Sequence, residues 1–293
     1  MFDLVSQCPG AQPVLEAARG VLAGSDPRHF ARDADPDTLY SNRVGQVLCC
    51  TQALAAWAMV QERLSRPVII AGYSVGELAA WGCAGLLKPE EVLRLAVVRA
   101  DAMDTAAGGN TGLVAIRGLA RARLESLCRP HEVHVAIVNG DDLFIVGGVR
   151  EALKRVCDDA LAAGAVRATL LHVAVAAHTP ILAEASRQFG AALAQLNLRP
   201  QTAPDLRLLA GIDGEPVFDT GAGAAKLAEQ ISRTVNWAAC LDACRAAGTE
   251  TVLELGPGRA LASMAREVLT DAKVRSVDDF RSPEGVLNWV SQG

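Results

Sequence analysis

Apolar residues recur at three- and four-residue intervals from Gln46 to Leu64, the repeat that lines one face of an α-helix. RPVIIAG (66–72) breaks that rhythm: its short, β-branched apolar run is the pattern of a strand buried on both faces in a parallel sheet. Helices are predicted next over 75–84 and from Pro89 through PEEVLRLAVVRADAM, where a proline in the first turn with two acids behind it marks a helix start.

From Thr111 the spacing changes. The order reads strand (GLVAIRG), helix (ARARLESLC), strand (VHVAIVN), strand (LFIVGG), helix (REALKRVCDDALAAG) and strand (VRATLLHV), a βαββαβ unit of ferredoxin-like type. The Gly-rich tract DTAAGGNTG (104–112) before it reads as a hinge. The pattern therefore predicts an α/β protein in which a small ferredoxin-like domain (108–172) is inserted into a large hydrolase-like α/β domain with a parallel sheet (1–107 and 173–293). Beyond Val173, a helix capped by Thr179 is expected from Pro180, followed by the strand TVLEL (251–255) and a GPG turn.

Composition narrows the functional classes. The chain has 293 residues, of which 51% are hydrophobic and 21% charged, enough apolar material for a sizeable core. A net charge of −5 argues against nucleic acid as a partner, because neutralising phosphates takes clustered Lys and Arg. No uninterrupted apolar run approaches the roughly 20 residues of a membrane helix. The start, MFDLVSQCPG, lacks a basic segment followed by an apolar stretch, so the cytoplasm is the expected location. Eight cysteines are scattered without a CxxC pair, and Cys240 and Cys244, one helical turn apart, have no matching partner pair elsewhere. Reduced, packed thiols are expected, with no metal and no redox cofactor. His131 and His134 stand alone and read as surface residues.

The chemistry gathers at Gly72-Tyr73-Ser74-Val75-Gly76, a G-x-S-x-G sequence with a buried strand before it and a helix after it. In that context Ser74 projects its Oγ from a sharp turn, and the Val75 N–H points at a developing oxyanion. A serine nucleophile needs a base. Of the five histidines, His178 sits at the end of an apolar stretch and just before a Thr-Pro helix start, the kind of loop position where catalytic groups collect. Arg99 shares one helical face with Val92, Leu95, Ala96, Ala102 and Met103, so its guanidinium faces the core and must meet an anion. Helix geometry leaves two partners open, an internal carboxylate such as Glu77 or an anionic substrate at the elbow.

These residues resemble the malonyl-CoA:acyl carrier protein transacylases and related acyltransferase domains, over nearly the whole chain. GYSVGELAAWGCAGLL is similar to the family's nucleophile elbow, Arg99 falls at its carboxylate-binding arginine, and Met103 follows one turn later. Gln46 matches a pocket glutamine, and VNGDDLFIVGG places Asn139 in the family's small-domain hairpin. AVAAHTPIL carries the family histidine as His178, and TVNWAACL resembles the segment whose carbonyl orients that histidine, giving Asn236. LELGPGRAL is similar to the late glycine turn.

Two positions depart from the family pattern. Tyr73 stands where the family usually has His, which resembles the malonyl transferase (epsilon) subunit of bacterial malonate decarboxylase. The family's opening strand, with its GQGxQ motif and oxyanion glutamine, has no counterpart in register; CPGAQ (8–12) lies too close to Ser74, and the oxyanion role is not carried onto Gln12.

The resemblance implies ping-pong malonyl transfer from malonyl-CoA to an acyl carrier protein thiol by a Ser74–His178 dyad, with Arg99 holding the free carboxylate and no cofactor. Other malonate decarboxylase subunits are implied partners. Alternatives are a transacylase of fatty-acid or polyketide synthesis, a serine hydrolase of α/β-hydrolase type, and a non-catalytic carrier-docking subunit. Arg117, Arg121 and Arg123 form a candidate basic patch for an acidic carrier.

Overall fold

The structure is a computed structural model and describes residues 1–200 and 205–292. The N-terminal third is helical: α1 (Gln12–Val21), α2 (Pro27–Asp33), α3 (Pro36–Leu39) and α4 (Asn42–Val60) precede strand β1 (Val68–Ile70). Local chemistry sets these starts. Asp26 and Asp35 each accept a backbone N–H from the first turn that follows, from Arg28 and Thr38, and a proline occupies the first position of α2 and of α3. The helical stretch Asn42–Arg63 is long and apolar enough to cross a membrane by length and composition, yet 67% of its most apolar 18-residue window is buried inside the fold, as befits a core helix. Packing of α4 against α1, α5 (Val75–Cys83) and α6 (Pro89–Ala107) accounts for that burial.

The middle segment runs β2 (Thr111–Arg117), α7 (Arg121–Cys128), β3 (His134–Val138), β4 (Leu143–Val149), α8 (Arg150–Ala162) and β5 (Arg167–Leu170), the expected order of elements. Its strands lie side by side as β5-β2-β4-β3, with antiparallel neighbours throughout. Val114, Ile116, Leu124, Phe144, Val146 and Leu153 form a hydrophobic cluster of their own beneath α7 and α8.

Then come α9 (Ala183–Ala194), β6 (Leu206–Leu208), α10 (Thr220–Glu229), β7 (Val235–Asn236), α11 (Trp237–Ala246), β8 (Thr251–Glu254), α12 (Ala260–Val268), β9 (Lys273–Ser276) and α13 (Pro283–Val290). Thr179 does not cap the helical stretch after it; its hydroxyl donates to the Ala176 carbonyl at 2.7 Å.

The result is a mixed α/β fold with parallel strand pairs. Among the described residues β1 pairs only with β6, Val68 opposite Leu206, and β8 only with β9. The parallel ladder of the large region is thus two pairs rather than one continuous sheet. Strand β7 crosses over to extend the middle sheet, lying parallel to β3. It thereby ties the segment that begins α11 to the strand that ends at Val138, next to Asn139.

Candidate active site

The elbow follows β1 directly. Ser74 takes φ +53° and ψ −119°, a conformation that ordinary side chains avoid, and α5 begins at the next residue. Glycine at 72 is a steric necessity, since a Cβ there would stand 2.2 Å from the Glu77 backbone. Gly76 differs: a Cβ there meets nothing within 4 Å. Val75 is the first residue of α5, so its N–H has no intrahelical acceptor and is left for an external one.

His178 comes from the stretch after β5, and it too has a left-handed backbone, φ +61°. Its N–H donates to the Ile231 carbonyl at 2.8 Å, which anchors the backbone across to the end of α10. The imidazole Nδ1 lies 2.5 Å from the Gln230 carbonyl oxygen and Nε2 lies 2.8 Å from the Ser74 Oγ. A carbonyl can only accept, so Nδ1 carries the proton and Nε2 presents its lone pair to the serine hydroxyl. Burial first, and then the Arg99 charge, push His178 down to about 3. The imidazole is therefore neutral and able to accept a proton.

Asn236 does not orient the histidine. Its side chain accepts the Ala239 N–H and caps α11. The orienting carbonyl belongs to Gln230, six residues earlier, at the end of α10. A backbone carbonyl has no residue-type signature, which is why the sequence pattern missed it.

Arg99 is 1% exposed on α6. Nη1 donates to the Gln46 Oε1 at 2.7 Å, and Nη2 reaches the Ser74 Oγ at 3.5 Å. Glu77 exerts an attraction on it but makes no contact within 4.0 Å; its carboxylate is engaged by Gln230 instead. Burial pulls Arg99 down to about 10, still a cation at neutral pH. Gln46 is held in place by its own donor group, which bonds the Asn42 Oδ1 at 2.8 Å and approaches the Met103 sulfur at 3.5 Å. The guanidinium beside the serine is thus paired to a neutral amide, and its planar fork is of the kind that can bind a carboxylate.

Tyr73 packs edge-on against Trp237, ring centroids 5.6 Å apart at 80°. The Asn139 side chain hydrogen-bonds its hydroxyl, and burial holds the phenol up at about 12. The Asn139 Oδ1 is buried with no partner among the described residues. A cleft of about 480 Å³ opens beside His178, between Pro180, Ser232 and Arg233 on one wall and Arg121 and Arg129 on the other. Gln12 is remote from this constellation in its bonding: it is exposed, and its side chain donates to the Ser6 carbonyl.

Comparison with known proteins agrees with the geometry. The acyl transferase domain family matches residues 32–281. The malonyl CoA-acyl carrier protein transacylase of Mycobacterium tuberculosis is 30% identical over 275 residues, covering 92% of this chain and 89% of that protein. Among solved structures, the acyl-carrier-protein S-malonyltransferase of Burkholderia pseudomallei superposes with a TM-score of 0.89 at 28% identity, over 98% of this chain and 94% of that one. A malonyl-transacylase in complex with its type II PKS acyl-carrier protein gives 0.90 at 25% identity, over 98% and 94%. With the elbow serine, its histidine and a buried arginine assembled in one place, the chain belongs to the acyl transferase domain family.

Proposed function

We propose that the protein moves a malonyl group from malonyl-CoA to the thiol of an acyl carrier protein. The observation that carries this reading is Arg99, a buried cation beside the Ser74 Oγ with no carboxylate paired to it among the described residues. In the first half-reaction His178 Nε2 takes the hydroxyl proton as Ser74 Oγ attacks the thioester carbon. The C–S bond breaks, and the coenzyme A thiolate leaves with the proton returned by His178. In the second, the carrier thiol gives its proton to His178 and attacks the malonyl ester, and Ser74 recovers its hydrogen. The Val75 N–H faces the oxyanion in both halves. The imidazole is oriented by a carbonyl, so the arrangement is a dyad without a carboxylate in contact.

The segments 1–107 and 173–293 form the large body of this reading, and 108–172 the small ferredoxin-like lobe that closes the other wall of the cleft. Relatives named as transacylases, together with the polyketide carrier complex, favour a transacylase of fatty-acid or polyketide synthesis. Tyr73 is the one feature that favours malonate decarboxylation instead. Brief incubation with malonyl-CoA should leave a malonyl adduct that Ser74→Ala abolishes; an adduct that persists in the mutant would overturn the assignment. Rates of transfer to carriers of fatty-acid synthesis, polyketide synthesis and malonate decarboxylase then rank the pathways.

A further inference from the structure

Behind the dyad lies a carboxylate that the acyl-transfer scheme leaves idle. Glu77, 1% exposed in the first turn of α5, accepts from Gln230 Nε2 at 3.0 Å. It also accepts the Gly211 N–H, and a Cβ at 211 would stand 2.6 Å from its Oε2. The same Gln230 Nε2 donates to the Ser74 carbonyl oxygen at 3.0 Å, while the Gln230 backbone carbonyl orients His178. Gln230 is therefore the one residue, among those described, that hydrogen-bonds both Ser74 and the His178 imidazole. Its Oε1 is buried with no donor among the described residues. That imbalance has a physical reading: two acceptors, the Ser74 carbonyl and the Glu77 carboxylate, both demand the NH₂ end of the amide and fix its orientation at the expense of the other end.

We propose that Glu77 is a positioning residue for the reaction, its ionised carboxylate holding the Gln230 amide so that the Ser74 backbone and the carbonyl behind His178 are fixed together. The proposal rests on acyl transfer at Ser74. Protonation reverses the logic. A carboxylic acid is a donor, and the acceptor that lacks one is Gln230 Oε1. Turning the amide over satisfies that pair and strips the Ser74 carbonyl of its donor. The groups facing Glu77 are Arg99 on α6, Asp213 in the loop after β6, Cys240 on α11 and the Gln230 amide itself. Burial outweighs the attraction of Arg99 and holds Glu77 up at about 7. The carboxylate is ionised above that pH and neutral below it, so the dyad is held in register on the alkaline side. His178 stays neutral across the same range and adds no limb of its own.

The test is the rate of Ser74 malonylation from pH 5.5 to 8.5, with melting curves, for the full chain and for Glu77→Gln. The unaltered protein should speed up as pH rises through about 7. Glu77→Gln cannot ionise; it should lower kcat by about 10- to 100-fold, the usual loss when a supporting partner is removed, leave KM for malonyl-CoA unchanged and flatten the pH dependence. Gln230→Ala keeps the backbone carbonyl but deletes the amide, and should reproduce the lower kcat and the flat profile; it serves if Glu77→Gln does not fold. Either variant with the unaltered kcat, or with its limb near 7 intact, overturns the proposal. Absence of any malonyl adduct on the unaltered protein overturns the parent reading instead.

Discussion

The Arg99 Nη2 and the Ser74 Oγ lie 3.5 Å apart in a buried site, and the only strong partner of the guanidinium among the described residues is the neutral Gln46 amide at 2.7 Å. This pairing places a permanent charge next to the proposed nucleophile. Stability alone does not call for it, because an arginine kept for packing would be matched by an internal carboxylate.

Arg99→Ala should weaken malonyl transfer by about 2 to 5 kcal/mol, the usual loss for one partner of a desolvated charge pair, and acetyl transfer by much less. The ratio of the two rates, measured with a melting curve, checks this. An unchanged ratio with a lowered melting temperature would mean that Arg99 only holds the fold together.

His178 should titrate far below an ordinary histidine, because burial and then Arg99 disfavour the imidazolium. Replacing Arg99 by Gln removes only the second cause, so the imidazole pKa should rise without reaching 6.5. Histidine NMR across an acid titration reads both values. The sign for stability follows: an unfolded chain takes up a proton at His178 below about 6.5 while the folded one does not, so this residue costs stability as the pH falls from there toward 3.

The two glycines of the elbow should behave oppositely. Gly72→Ala drives a methyl group into the Glu77 backbone and should cost several kcal/mol or abolish folding, as overpacked positions next to rigid backbone do. Gly76→Ala enters open space within a helix and should raise stability by about 0.5 to 1 kcal/mol. Thermal melts of the two single variants suffice, and equal effects would refute the steric account.

The carrier is expected at the cleft mouth. Arg117 pairs with Glu267 and Asp142, Arg121 with Glu125 and Arg233 with Glu229; of the patch the sequence suggests, Arg121 lines the cleft beside His178, where Arg129 and Arg233 join it. Charge reversal of Arg129 and Arg233 should slow transfer to the carrier, with an effect that shrinks as salt rises, and leave Ser74 malonylation from malonyl-CoA intact. Equal loss in both half-reactions would place the carrier elsewhere.

Much of the site could be read from the chain before its fold. Ser74, Val75 and Arg99 announce themselves because strand, turn and helix periodicity fix where their side chains go. The βαββαβ segment is equally legible, since each element is long enough to display its repeat. Strands β6 and β7, of three and two residues, are too short to carry a period, and their partners lie far away in sequence. Gln230 is invisible for a different reason: it acts through a main-chain oxygen, and the nearby Asn236 carries the more suggestive side chain. Glu77 reads from sequence as a candidate partner for Arg99, and only the fold reveals that it bonds Gln230.

Ser74 and His178 both sit at positive φ, and neither is glycine. Each such backbone costs roughly 1 to 3 kcal/mol. At Ser74, whose side chain is small, glycine would relieve that strain; at His178 the buried imidazole and its bonds to Gln230 and Ser74 outweigh it. Selection for thermal robustness alone would therefore erode the Ser74 hydroxyl, the proposed nucleophile, while preserving His178. In a screen of variants for melting temperature, Ser74→Gly should rank among the stabilised and inactive and His178→Gly among the destabilised, and any directed-evolution scheme on this scaffold has to select for turnover at every round.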